Sequence, residues 1–480
     1  MRKLNQVFIV VFAFAISFSA ANEAFSQKRK SVSAPKLPKI ERRNVESTME
    51  FLAGDAMQGR GSGTQFEWIA GEYFASLMKQ FGVEPGAVGI DGKPSYIQTV
   101  EIVNQTFDTP QLTFVDSLGT HTLEHGKDMI VSILRSSKVS GKLRAIAPDE
   151  VPNEGEVVLI KPDDDPDGSK ARSNFGKLLS SKAAAILIGA TPNTTQLWSR
   201  LARRPVSYSV INGKEESSPA LVILNADSMK QISALEQGSE ISISAKAQDP
   251  QSRRTWNAVG KIEGADPKLK SQVILLSAHM DHLGVDENAK KGEDRIFNGA
   301  DDDASGSTAV IELARAISSM KKPKRTVYFT FFGSEERGGY GAGYFVDNLP
   351  FPKKDLVANL EFEMIGRPDA KVKPDELWLT GYERSNLGPE LAKLGAKIVQ
   401  DPHPEQNFFQ RSDNYTLARQ GIIAHTVSSF GLHTDYHHKS DEVSTIDFSH
   451  MTNAINSMVS PIHWLINSSF VPEWNPGMKP

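Results

Sequence analysis

The segment that decides the architecture starts as VILLSAHMDHLG at residues 273–284. It continues as NGADDDASGSTAVIELARAI at 298–317 and closes as RTVYFTFFGSEERG at 325–338. Two of its apolar runs, residues 273–277 and 326–332, have the unbroken hydrophobicity of parallel strands buried on both faces. Between them, residues 305–320 place Ala309, Val310, Leu313, Ala314 and Ile317 at helical spacing, behind small opening residues. The pattern predicts strand, crossover helix, strand. His279 and Asp281 follow the first strand, and Glu335 and Glu336 follow the second. Ligands of open α/β sheets bind outside the carboxyl ends of the strands, so His279, Asp301, Glu335 and Glu336 are expected to converge there. That mixture of imidazole and carboxylate suits zinc.

Working outward, a third apolar strand at 356–364 carries Glu361 and Glu363 on one face by alternation. A fourth, at 421–427, leads into a loop at 431–441 dense in His and Asp. His279 lies two residues before Asp281, a spacing that permits a metal-binding ring oriented by a carboxylate. Three consecutive acids, Asp301, Asp302 and Asp303, are costly together unless a cation offsets them. The default role of Asp303 is to cap the helix that follows. Paired Glu335 and Glu336 allow one carboxylate to bind metal while the other handles protons.

The chain has 480 residues, room for two or three domains. A net charge of −4 gives no electrostatic case for nucleic acid. Cysteine is absent, which excludes disulfides and thiolate ligands. Residues 1–26 read as a secretory signal: Arg2 and Lys3 precede an apolar core at 7–18, with cleavage expected after Ala21 or Ser26. An uncleaved anchor is the alternative. The product is expected to be exported, periplasmic or extracellular, without stable membrane insertion after cleavage.

Residues 27–108 are expected to form a leader and the first, helical part of the catalytic domain, with a Gly-rich turn at 59–63. Residues 109–250 differ in texture. Short apolar runs at 112–115, 157–160, 183–188, 221–224 and 241–243 and one helix-like stretch at 173–181 predict an inserted module of mixed strands. Asp163-Asp164-Asp165-Pro166-Asp167-Gly168 resembles the start of a calcium loop, but Asn174 stands where its last acid belongs, so a solvated turn is expected. The basic run 200–204 is expected to be an exposed face. Residues 251–470 complete the catalytic domain, and 471–480 form a tail.

The motifs AHMDH, GADDDASG, SEERGGYGAG, NLEFEMIGR and DYHHKSD occur in the order found in the M28 family of zinc peptidases, the aminopeptidase Y and bacterial leucyl aminopeptidase group. LAGDAMQGRGSGT at 52–64 also resembles that family's N-terminal segment. The resemblance covers roughly residues 45–105 and 251–468. GEVVLIK, AAAILIGA and PALVILN resemble a protease-associated domain. The resemblance implies a mixed, largely parallel α/β sheet flanked by helices, with a β-rich α+β insert, two zinc ions per chain and peptide substrates.

It further implies that His279 binds one zinc, Asp301 bridges both, and Glu336 binds the other. Glu335 becomes the general base. Glu363, rather than Glu361, and His437 complete the ligands. Asp281 supports from behind, and Tyr436 helps to stabilise an oxyanion. His282, His433 and His438 match no ligand position and are expected to have structural or pocket roles. Two positions depart from the family pattern: Glu363 stands where Asp is common, and Asn414 where His is common. Two rival readings stand beside it: a single-zinc glutaminyl cyclase-like transferase, a chemistry found on the same fold, and a non-catalytic protein in which the insert binds peptides or glycans. Residue preference, the end of the peptide attacked and oligomeric state are not encoded in these motifs.

Overall fold

Continuous apolar runs make the central strands. In the computed structural model, which describes residues 37–161, 165, 168–213 and 218–480, β1 is Ile97–Asp116, β2 Val206–Ile211, β3 Gln251–Ile262, β4 Val273–His279 and β5 Thr326–Phe332. They are followed by β6, Leu356–Phe362, and β7, Ala424–Ser428. β4 lies between β5 and β6, parallel to both, and β6 pairs in parallel with β7. β3 closes the far side of β5 in antiparallel register. Every side chain of β4 and β5 is buried, as two-sided coverage requires. The expected mixed, largely parallel α/β sheet is what the chain forms. The signal segment 1–26 and Asp163, Asp164 and Asp167 of the calcium-like turn lie outside the described residues.

Helices α1 (Arg42–Leu52), α2 (Gln65–Gln80), α3 (Gly306–Ser318), α4 (Tyr340–Asp347), α5 (Asp413–Ala418) and α6 (Phe448–Asn467) flank the sheet. Val273 and Leu275 of β4 cluster with Phe345 of α4 and Leu417 of α5. The alternate residues Ile274 and Leu276 point to the other face, where α3 packs against β4. Phe74 of α2 stacks on Phe331 of β5 with centroids 3.8 Å apart. At Gly306 an added Cβ would lie 2.0 Å from the carbonyl oxygen of Phe362. Only glycine lets α3 begin so close to the end of β6.

The chain leaves β5 for α4 and re-enters at β6, on the other side of β4. Strand order therefore reverses around β4, and the turns at 279–282, 333–336 and 363–366 gather at one edge. That is where open sheets bind ligands.

The strands expected at 157–160 and 221–224 form as Val157–Ile160 and Ala220–Leu224. They belong to a small sheet in which Lys138–Ile146, Val157–Ile160, Ala185–Gly189 and Ala220–Leu224 run parallel. The helix-like stretch forms as two short helices, Ser169–Ser173 and Phe175–Leu179. Leu112, Leu159, Leu187, Val222 and Ile241 share one core. β1 runs through both parts of the molecule: residues 97–104 pair with β3, and residues further along pair with Glu240–Ala247. Arg200, Arg203 and Arg204 are exposed.

Candidate metal centre

His279 ends β4 with its ring fully buried. Its Nδ1 lies 3.2 Å from the carbonyl oxygen of Asp281 and 3.8 Å from the Asp281 carboxylate. A carbonyl only accepts, so Nδ1 carries a hydrogen, and in the neutral ring Nε2 presents its lone pair. That Nε2 lies 3.2 Å from Asp302 Oδ1 and 4.0 Å from Glu363 Oε1. Although 3.2 Å apart, His279 Nε2 and Asp302 Oδ1 lack hydrogen-bond geometry, and both are buried without a partner. Two buried lone pairs aimed at a common point are what a cation satisfies.

The other oxygen of Asp302 faces a second group. His437 Nε2 lies 3.2 Å from Asp302 Oδ2 and 3.2 Å from Glu336 Oε2. His282 Nδ1 lies 2.8 Å from Glu336 Oε1 and 3.9 Å from Asp302 Oδ2. Two ligand-type triplets result, His279/Asp302/Glu363 and His282/Asp302/Glu336, and they share Asp302. The donors are nitrogen and carboxylate oxygen throughout, which fits zinc.

The structure corrects the expectation at Asp301. Its carboxylate is already satisfied: Oδ1 accepts the N–H of Gly366 at 2.8 Å, and Oδ2 pairs with His433 Nε2 at 2.9 Å. The acid standing between the two groups is Asp302. Asp441 sets this arrangement, because its carboxylate accepts the N–H of Asp301 at 3.0 Å and of Asp302 at 3.1 Å. Asp303 turns away to accept from Gly306 N–H at 2.9 Å, the capping role expected of it. His282, expected to be structural, reaches the centre; His433 sits behind Asp301, where Arg367 donates to its Nδ1 at 2.8 Å. Glu361 accepts from the N–H of Asn414 and the hydroxyl of Thr426. It is thereby drawn away from the group that holds Glu363.

Glu335 sits at the turn after β5, and its N–H donates to Asp281 Oδ1 at 3.0 Å. Ser62 donates to the other oxygen of Asp281. Burial holds the Glu335 carboxyl well above the usual range against the pull of His279, and Asp413, Glu363 and Glu336 push it the same way as burial. Glu363 is pushed up to about 7, first by burial. Burial opposes charge on His437, yet hydrogen bonds to Asp302 and Glu336 raise it to about 10. Tyr436 stacks on His437 with centroids 3.9 Å apart, and shares a recess with Glu363, Trp378, Phe408, Arg411 and Phe430.

The Gly-rich turn at 59–63 carries a buried cation. The Arg60 guanidinium donates to the carbonyls of Met280, Asn298, Gly299 and Leu52 at 2.6–2.9 Å. It ties the turns bearing His282 and the three acids to the N-terminal segment.

A parallel sheet with two histidine–carboxylate groups at its carboxyl edge defines an α/β protein with a candidate two-metal centre. Residues 257–460 match the model of Peptidase family M28. Among curated relatives, leupeptin-inactivating enzyme 1 of Streptomyces exfoliatus is 34% identical over 116 residues, 24% of this chain and 23% of its own length. Leucine aminopeptidase 2 of Trichophyton equinum is 27% identical over 182 residues, 36% of this chain and 33% of its own. The chain thus spans a third or less of these relatives. Among solved structures, an aminopeptidase from Aneurinibacillus sp. strain AM-1 is similar at 18% identity and a TM-score of 0.49, covering 90% of this chain and 96% of its own. LapA of Legionella pneumophila is similar at 24% identity and a TM-score of 0.35, covering 45% of this chain and 56% of its own.

Proposed function

We propose that the protein is an exported di-zinc aminopeptidase. The observation that carries the reading is the pair of donor groups sharing Asp302, with the Glu335 turn beside them. His279, Asp302 and Glu363 would hold one ion. Asp302, Glu336 and His437 would hold the other, with the His282 ring against Glu336. When bound, such a pair polarises the scissile carbonyl and supplies hydroxide near neutral pH. Glu335 takes a proton from the attacking water and returns it to the leaving amine nitrogen. The Tyr436 hydroxyl faces the developing oxyanion, and the recess beside Glu363 takes a substrate side chain.

Asp281 keeps the His279 ring in one tautomer and holds the Glu335 amide, so a single residue orients a ligand and the base. Export rests on the signal-like residues 1–26, and a protease-associated character for the insert rests on its motifs. Among the described residues no helix is long and apolar enough to cross a membrane. The test is a screen of aminoacyl and N-blocked peptide substrates with zinc-loaded protein, alongside elemental analysis. Hydrolysis that requires a free amine, with about two zincs per chain, is expected. Equal cleavage of blocked peptides, or a zinc count near one, overturns the reading.

A further inference from the structure

Strand β2 pairs with β1 along one side, and among the described residues its other side pairs with nothing. That free side is one wall of a cleft of about 560 Å³. Ser207, Tyr208 and Ser209 all line it. Ser207, Ser209 and Ile211 share one face of the strand and Tyr208 points to the other, where Arg135, also in the lining, lies over its ring. The unpaired side of β2 carries a row of main-chain donors and acceptors.

The opposite wall is the segment that leaves the Glu335–Glu336 turn: Gly338, Gly339, Tyr340 and Gly343. It begins two residues beyond a candidate ligand. The Tyr340 hydroxyl donates to Ser209 Oγ at 2.9 Å and joins the two walls. Arg135, stacked over Tyr208, lies in the lining with Arg419 and Asp347. The cleft, with the unpaired side of β2 as one wall, is shaped for an extended chain.

Unpaired strand edges template the addition of another extended segment. We propose that peptide residues beyond the scissile bond add as a strand to the free edge of β2, making this cleft an extended-substrate subsite. The proposal rests on the peptidase reading above and names where that activity gains affinity for longer substrates.

The test uses the full-length, zinc-loaded protein and peptides of two to eight residues that share the N-terminal residue preferred in the aminoacyl screen. kcat/KM is expected to rise with length on the order of tenfold, the effect of two net main-chain hydrogen bonds. N-methylation of alternate amides beyond the scissile bond is expected to remove the gain. Gly343→Trp fills the cleft from a position where an added Cβ meets nothing within 4 Å. It is expected to abolish the ratio of long- to short-peptide rates. Because the ratio is taken within one preparation, partial loss of folded enzyme cancels. A flat length dependence, or a gain that survives both N-methylation and Gly343→Trp, overturns the subsite and leaves the peptidase reading intact. Hydrolysis of no substrate overturns both.

Discussion

Glu67 accepts the main-chain N–H of Ser334 at 2.8 Å, so α2 grips the residue just before the Glu335–Glu336 pair. The same oxygen takes the hydroxyl of Thr255 at 2.7 Å, and the other takes the N–H of Gly63 at 2.9 Å. Ser334 has a φ of 54°, a left-handed conformation that a serine holds only under constraint. Glu67→Gln would turn an NH2 toward one of these donors. We expect a loss of about 1–3 kcal/mol of stability, the cost of an unsatisfied buried group. Denaturant unfolding read beside turnover checks this. Stability unchanged within error would show that the clamp is dispensable.

The adjacent glutamates separate by their neighbours. Glu336 contacts two imidazoles, whereas the N–H of Glu335 leans on Asp281. Glu335→Gln is expected to keep both zincs and lose turnover by about 10²–10⁴-fold, the range of general acid–base catalysis. Glu336→Gln is expected to lose metal. Zinc stoichiometry and single-turnover rates are measured side by side. Metal loss in Glu335→Gln with full metal in Glu336→Gln would reverse the roles.

Asp301 and Asp302 offer a comparison within one tripeptide. Asp302→Asn removes the oxygens shared by both donor groups, so zinc stoichiometry after gel filtration should drop toward none. Asp301→Asn should retain both ions and lose stability, because its oxygens meet Gly366 and His433. If Asp301→Asn sheds the metal and Asp302→Asn does not, the shared position has been misassigned.

His425 gives a pH dependence away from the centre. Its Nδ1 donates to the Thr380 carbonyl at 2.7 Å, its Nε2 takes the Ser385 hydroxyl at 2.7 Å, and burial pushes the ring down to about 4. In the unfolded chain it protonates near 6.5. Its contribution is therefore complete above about pH 6.5 and is lost as pH falls toward 4, by up to about 3 kcal/mol. His425→Asn lacks this titration, so the stability gap between wild type and variant should shrink on acidification. Parallel stability curves for the two proteins would contradict it.

The sheet was legible because β4, β5 and β6 are apolar runs that end abruptly in chemistry, and their ends carry His279, Glu335, Glu336 and Glu363. β1 was only partly legible. Its residues 101–111 mix polar side chains with Pro110, and pairing to β3, β2 and Glu240–Ala247 stabilises what local propensity does not. The three acids were legible as a group but not individually. What selects Asp302 is the grip of Asp441, 139 residues away, on its amide. The contact of His282 was not legible for the same reason, since its position against Glu336 depends on how two turns meet. Arg60 was hidden in a run of glycines whose composition suggested only a turn.

Because Asp441 holds the amides of Asp301 and Asp302, and Arg60 holds the turns on either side, the centre draws on both ends of the chain. During synthesis, Arg60 is made long before Met280, Asn298 and Gly299, whose carbonyls it holds, and Asp441 follows all of them. A nascent chain carries nearly every ligand side chain before it can arrange them. On the two-metal reading, high-affinity capture of the ions waits until Asp441 has been made and has closed on the amides of Asp301 and Asp302.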